Sequence, residues 1–102
     1  AIAEGTLEAT KVPLSVMQMG IAGLRLADKL YGHFNTNCAS DLGVGIINLL
    51  TCIRGAWLNV KINLPGVKDE AFAAEAEAEG RKILAEGEEI AERLYKTMEE
   101  EL

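Results

Sequence analysis

The sequence predicts an all-α protein, an antiparallel bundle of long helices, and three observations predict it. Long segments carry apolar residues at helical spacing. Pro13 and the Pro65-Gly66 pair mark where helices begin and end. A central segment is apolar on nearly every face, as a helix packed among other helices would be. Because 102 residues with 49% apolar content form one domain at most, we take residues 1–102 as a single helical unit.

The first helix is predicted from Pro13 to about Tyr31. Proline suits a first helical turn because its missing N–H would have no partner there. Residues 2–11 also look helical, and we expect them to be the end of a longer helix. The apolar residues of the helix recur at helical spacing while charged residues fall on other faces, which predicts a half-buried helix whose buried positions are Leu14, Met17, Ile21, Leu24 and Tyr31.

The second helix is predicted from Asp41 to Leu64. Its residues are apolar on nearly every face, so we expect it to be buried all round. Glycines within it cost roughly 1 kcal/mol each relative to alanine, which indicates close approach of neighbouring helices. A membrane span is the competing interpretation, and we do not expect one because Arg54, Lys61 and three asparagines interrupt the apolar run.

The third helix follows Pro65-Gly66 and runs nearly to the C-terminus. Asp69 and Glu70 at its start suit the positive end of the helix dipole. Gly80 and Gly87 lie seven positions apart on its apolar side, which predicts a closely packed antiparallel partner. The rest of that side consists of Phe72, Ala76, Ile83, Ile90, Leu94 and Met98.

The composition excludes several classes of function. With 16 acidic against 10 basic residues, a surface that tracks nucleic-acid phosphates is not expected. His33 is the single histidine, and Cys38 and Cys52 lie fourteen positions apart, so no metal site is expected and both thiols are taken as reduced. No secretion signal or standard catalytic motif is recognisable, and the predicted compartment is cytoplasmic.

Polar residues at the two ends of the second helix are the candidates for chemistry. Asn35, Asn37, Ser40 and Asp41 occupy the preceding loop and the first turn, where they are also ordinary loop and cap residues. Amides within an apolar helix need partners or lose about 1–3 kcal/mol each. For the pair Asn59 and Asn63, interhelical hydrogen bonding and ligand binding therefore both stay open, and their spacing predicts a shared polar pocket.

Three segments together resemble one protein family. They are Ala-Thr-Lys-Val-Pro-Leu at 9–14, Asn-Thr-Asn-Cys-Ala-Ser-Asp at 35–41 and Gly-Ala-Trp-Leu-Asn-Val-Lys-Ile-Asn-Leu at 55–64. Their order and spacing are similar to those of the cyclodeaminase/cyclohydrolase family. That family comprises the C-terminal domain of formiminotransferase-cyclodeaminase and stand-alone methenyltetrahydrofolate cyclohydrolases. The resemblance extends from Ala9 to about Phe72.

The resemblance implies an all-helical, usually dimeric enzyme that works on the one-carbon bridge between N5 and N10 of tetrahydrofolate. In cyclodeaminases N10 attacks the formimino carbon and ammonia leaves. In cyclohydrolases water adds to the methenyl carbon and the ring opens to 10-formyltetrahydrofolate. A tetrahydrofolate derivative is thus the expected substrate, without a metal.

The same resemblance implies roles for the polar residues. Asp41 is the only carboxylate inside the matching segments, so it is the candidate for moving protons at the bridging carbon or for holding the pterin. Hydrogen bonds to the pterin edge would come from substrate-binding residues Asn35, Asn37, Ser40, Asn59 and Asn63.

The chain also departs from the family pattern. Family members are about twice as long, and their N-terminal half carries a Pro-Gly-Gly-Gly-type stretch and the acidic segment to which the catalytic aspartate is assigned; neither is recognisable here. The chain is therefore expected to be half of the domain, completed by a homo-oligomer contact or by an N-terminal complement. The alternative is a non-catalytic helical module for dimerisation or interaction.

Overall fold

The computed structural model describes residues 2–33 and 39–102, which form three long α-helices lying side by side. The helices are α1 (Ile2–Leu30), α2 (Ala39–Asn63) and α3 (Glu70–Glu101), and a 3-10 turn at Leu64–Gly66 joins the last two. The molecule measures 51 × 18 × 17 Å, which is the length of a long helix and the width of a small bundle. The predicted all-α helical bundle is confirmed.

Contacts between the helices fix their directions. The Asn63 amide lies near the Ala9 carbonyl, and Gly20 lies against Ile53, so α1 and α2 are antiparallel. Gly80 lies against Trp57 and Gly87 lies against Ile53, so α2 and α3 are antiparallel as well. It follows that α1 and α3 run in the same direction on one side of α2.

A row of ion pairs joins the outer edges of α1 and α3. Arg25 contacts both carboxylate oxygens of Glu86 at 2.5 and 2.8 Å, and Arg93 contacts both oxygens of Asp28 at 3.0 and 2.9 Å. The hydrogen bonds from Arg93 lower the pKa of Asp28, and those from Arg25 lower the pKa of Glu86. The two pairs have opposite polarity. The cation is on α1 in the Arg25–Glu86 pair and on α3 in the Arg93–Asp28 pair.

The core lies between the three helices and matches the predicted apolar positions. Leu14, Met17, Ile21 and Leu24 of α1 are buried, and Tyr31 is half-buried. On α3 the predicted apolar side is buried except for Phe72, which is half-buried, and Ala91 is also part of the buried surface. The buried positions of α2 are Ile46, Leu50, Ile53, Ala56, Trp57 and Val60.

The predicted start of the first helix at Pro13 is wrong, because α1 continues through this residue from Ile2. A proline inside a helix cannot donate to the carbonyl four residues earlier, which here belongs to Ala9. The side chain of Asn63 donates to that carbonyl at 3.4 Å, a long hydrogen bond, and to the Asn59 carbonyl at 2.8 Å. The interhelical alternative for Asn63 is therefore present in the structure.

The expectation that α2 is buried all round is not met within the single chain. Both neighbouring helices lie on one side, so the opposite side stays exposed, including Val44, Ile47, Leu58 and Ile62. Within the described residues, one stretch, Ala39–Gly66, is long and apolar enough to cross a membrane, with 33% of its most apolar part buried. A core helix of a soluble protein can be as long and as apolar, but it is mostly buried, so length and composition alone are weak evidence for a membrane span.

The predicted close packing at the α3 glycines is confirmed. A Cβ on Gly80 would lie 2.3 Å from Cζ3 of Trp57, and one on Gly87 would lie 3.1 Å from Cδ1 of Ile53. The start of α3 is also as predicted, because the Asp69 carboxylate accepts a hydrogen bond from the backbone N–H of Phe72 at 3.0 Å.

Candidate functional site

Asp41 lies in the first turn of α2, at the edge of a groove between α1 and α2. The groove has a volume of about 340 Å³. Because α1 and α2 are antiparallel, the last turns of α1 form one wall and the first turns of α2 form the other. The residues that line it are Gly23, Leu26, Ala27, Leu30, Asp41, Leu42, Gly45, Ile46 and Leu49.

The groove combines apolar walls with one ionisable group. Leu26, Leu30 and Leu49 offer apolar surface to a flat ring, and Gly45 leaves room beside them, because a Cβ there would meet nothing within 4 Å. Asp41 is exposed, so its carboxylate is within reach of a molecule in the groove. A carboxylate in this position can accept hydrogen bonds from ring N–H groups and can take up or release a proton.

The other predicted residues at this end are partly outside the described structure. Ser40 lies beside Asp41 in the first turn of α2 and is exposed. Asn35 and Asn37 lie outside the described residues. The structure therefore brings Ser40 and Asp41 together at the helix start, where unbonded backbone N–H groups favour anionic or carbonyl ligands.

Asn59 and Asn63 lie at the opposite end of α2. Asp41 and Asn59 are eighteen positions apart on the helix, a distance of about 27 Å along its axis, so within one chain the two ends do not share a reacting centre. Asn59 is exposed and Asn63 is half-buried. The Asn63 amide donates to the Asn59 backbone carbonyl at 2.8 Å. A pocket shared by the two amides and their role in binding stay predictions.

The sequence interpretation missed the apolar walls of the groove. Leu26, Leu30 and Gly45 were assigned no role in binding. A signal was available, because α1 carries a second apolar row on the side away from its core, with alternating steps of four and three residues. Its members are Val12, Val16, Met19, Gly23, Leu26 and Leu30.

No group of three or more potential ligands able to hold a metal ion occurs in the described part of the chain. Cys52 is a free, exposed thiol on α2, and Cys38 lies outside the described residues.

The cytoplasmic location stays a prediction.

The chain matches the model of one protein family over most of its length. The model of the family described as formiminotransferase-cyclodeaminase matches residues 1–82, which include all of α1, all of α2 and the first turns of α3. The chain belongs to this family. The matched region contains Asp41 and the whole groove, so the predicted resemblance is confirmed and covers the candidate site.

Curated relatives of two kinds support the assignment. The chain is 36% identical over 97 residues to a methenyltetrahydrofolate cyclohydrolase of Methylorubrum extorquens, covering 95% of this chain and 47% of the relative. It is 35% identical over 86 residues to a formimidoyltransferase-cyclodeaminase of Sus scrofa, covering 84% of this chain and 16% of the relative. A formimidoyltransferase-cyclodeaminase of Dictyostelium discoideum is 32% identical over 98 residues, covering 96% of this chain and 18% of the relative. The chain thus spans about half the length of the cyclohydrolase relative.

Proposed function

We propose that this chain is part of an enzyme of folate one-carbon metabolism, and that the groove beside Asp41 binds the reduced folate. The observation that carries the proposal is the position of Asp41, a carboxylate at the edge of an apolar groove and at the start of a helix. Family membership supports a folate ligand, because the relatives are named as a methenyltetrahydrofolate cyclohydrolase and as formimidoyltransferase-cyclodeaminases.

The proposed role of Asp41 is to handle protons at the bridging carbon. In a cyclohydrolase reaction, water adds to the methenyl carbon, loses a proton, and the carbon–N5 bond breaks as N5 takes up a proton. In a cyclodeaminase reaction, N10 attacks the formimino carbon, and the departing nitrogen must gain a proton to leave as ammonia. Either reaction needs a group that moves a proton, and a positioned acid or base typically contributes 10²–10⁴ in rate.

The test is an Asp41→Asn substitution, which keeps the size and the capping ability of the side chain while removing its charge. The protein assayed is the chain reconstituted with the remaining part of the cyclohydrolase relative. We expect turnover of methenyl- or formiminotetrahydrofolate to fall at least tenfold, which is about 1.4 kcal/mol of transition-state stabilisation. Steady-state turnover on both substrates beside a thermal melt separates loss of chemistry from loss of folding.

Asp69→Asn is the matched control. Asp69 is also an exposed aspartate at a helix start, but it lies at the other end of the molecule, before α3. This variant should keep full turnover. Undiminished turnover in folded Asp41→Asn protein would remove Asp41 from the mechanism and leave it as a helix-start residue.

A second candidate function is a non-catalytic interaction module. The apolar residues exposed on α1 and α2 favour it, because monomeric soluble proteins rarely expose large contiguous apolar patches. Calorimetric titration of the reconstituted protein with methenyltetrahydrofolate distinguishes the two. Saturable binding that weakens in the Asp41→Asn variant supports the enzyme, and no heat of binding supports the module.

A further inference from the structure

The last turns of α3 lie at the same end of the bundle as Asp41. Because α1 and α3 run in the same direction and α2 runs against them, the end of α1, the start of α2 and the end of α3 meet there. The described lining of the groove beside Asp41 comes from α1 and α2. The family model ends at residue 82, so the second half of α3 is close to the candidate site but lies beyond the matched region.

Met98 of α3 packs against the first turns of α2. Its side chain is buried, with 5% of its surface exposed. A Cβ on Gly43 would lie 3.4 Å from Cε and 3.9 Å from Sδ of Met98, so the two residues are in ordinary van der Waals range. Gly43 is two positions after Asp41 on the helix. Met98 therefore supports the part of α2 that carries the candidate carboxylate.

Two polar contacts join the same turns of α3 to the end of α1. The Tyr31 hydroxyl donates a hydrogen bond to the Glu101 carboxylate, with 2.6 Å between the two oxygens. Two turns earlier on α3, Arg93 contacts both carboxylate oxygens of Asp28. Tyr31 directly follows α1, where the chain leaves that helix toward α2. The end of α1 is thus fixed to α3 at two points.

The charge at this end of α3 indicates that these contacts hold the last turn. Glu99, Glu100 and Glu101 place three carboxylates at the C-terminal end of a helix, where the helix dipole disfavours negative charge. The helix nevertheless continues through Glu101, and one of the three carboxylates is bonded to Tyr31. The contacts with α1 and α2 therefore offset an unfavourable local sequence.

We propose that Arg93, Met98 and Glu101 form a clamp that positions Asp41. The clamp fixes the end of α1 against the first turn of α2, and it thereby sets where the Asp41 carboxylate lies at the edge of the groove. Met98 contributes most, because it is buried, whereas exposed polar contacts contribute little each. The three are positioning residues, since none belongs to the described lining of the groove. The catalytic consequence rests on the proposed function.

Amide hydrogen exchange in the chain tests the clamp without any folate. In an α-helix the backbone N–H of Gly45 bonds the Asp41 carbonyl, so its exchange reports opening of the turn that carries Asp41. Helix ends exchange mainly through local opening, so a loss of overall stability changes this rate little. We expect exchange at Gly45 to be at least tenfold faster in Met98→Ala. Met17→Ala removes an equally buried methionine from the middle of α1 and should leave this rate unchanged.

A milder pair of variants tests the same clamp if Met98→Ala does not fold. Glu101→Ala removes the acceptor of the Tyr31 hydrogen bond, and Glu100→Ala removes the same charge from the neighbouring exposed position. Glu101→Ala should accelerate exchange at Gly45 about threefold, as the loss of one exposed polar contact predicts. Glu100→Ala should leave the rate unchanged, although it relieves the helix dipole equally.

Turnover of the reconstituted protein tests whether the clamp positions Asp41. We expect Met98→Ala to lower kcat at least tenfold with little change in KM, because a misplaced carboxylate affects the chemical step more than folate binding. Met98→Leu keeps most of the buried volume and should restore most of kcat. Met17→Ala should keep kcat, which separates the positioning role from a general loss of stability.

Two results would overturn the proposal. If exchange at Gly45 is as slow in Met98→Ala and Glu101→Ala as in the unsubstituted chain, the clamp does not hold the turn. If Met98→Ala accelerates exchange but keeps kcat, while Asp41→Asn lowers kcat, the clamp does not position the carboxylate. If Asp41→Asn itself keeps full turnover, the proposed function fails, and the exchange rates alone decide whether the clamp exists.

Discussion

Replacing Gly80 by alanine should destabilise the chain, although alanine is the better helix former. A Cβ at this position would lie 2.3 Å from Cζ3 and 2.6 Å from Cε3 of Trp57. Ordinary carbon contacts are about 3.5 Å or longer, so the ring or the helix must move by about 1.2 Å. The Trp57 ring is not free to move without loss, because Lys61 lies 5.7 Å and Arg81 lies 5.4 Å from its centre.

The magnitude follows from three contributions. Forcing an extra carbon into a packed contact costs about 1–3 kcal/mol. Displacing the ring from its two cations costs roughly 0.5–1 kcal/mol for each exposed contact. Alanine returns about 1 kcal/mol through its higher helix propensity. The net expectation is a loss of roughly 1–4 kcal/mol in the free energy of unfolding.

Urea denaturation followed by circular dichroism measures this loss, and Trp57 fluorescence reports whether the ring has moved. Gly55→Ala is the matched control, since an added Cβ there meets nothing within 4 Å and should stabilise the chain by about 0.5–1 kcal/mol. If Gly80→Ala proved as stable as the unsubstituted chain, the contact between α2 and α3 would be looser than the structure shows.

Two further predictions concern stability. Asn63→Ala should lower the free energy of unfolding by about 1 kcal/mol, because it removes the donor to the Ala9 carbonyl. The loss should be smaller in a Pro13→Ala background, where the N–H of residue 13 can bond that carbonyl instead. Equal losses in the two urea titrations would contradict this role for Asn63. Arg93 lowers the pKa of Asp28 by hydrogen bonding, so the stability from this pair is present above the ordinary aspartate pKa near 4 and is lost as pH falls through the lowered value. Thermal melts between about pH 6 and pH 2 should show a smaller acid loss in Asp28→Asn, and identical profiles would refute the assignment.

The buried sides of α1 and α3 could be predicted from sequence because each has one apolar face. Leu14, Met17 and Ile83 lie where the periodicity puts them. The continuation of α1 through Pro13 could not be predicted, because proline by itself favours the first turn of a helix. Here Pro13 lies inside α1, and the Asn63 side chain of α2 donates to the Ala9 carbonyl, which lacks its usual helical donor. A contact between distant residues overrode the local preference.

The candidate site was predicted only in part. Asp41 is a candidate because it belongs to a recognisable motif, and the structure places it at the groove. Leu26 and Gly45 could not be named from sequence, because a groove depends on how two helices meet. The burial of α2 was expected on all sides, and the single chain supplies helices on one side. Sequence periodicity shows which residues need cover, but it does not show which molecule provides that cover.

The alternating signs of the ion pairs between α1 and α3 determine how the two parallel helices align. Helices packed at heptad spacing can slide by one repeat while keeping their apolar faces together. Sliding α3 by seven residues in one direction would place Arg93 beside Arg25 and Glu100 beside Asp28, so both pairs would become repulsive. In the other direction Glu86 would lie beside Asp28 while Glu79 replaced it beside Arg25, so one of the two attractive pairs would be lost. These surface pairs therefore favour the observed register over both shifted ones, even though each contributes little to stability by itself.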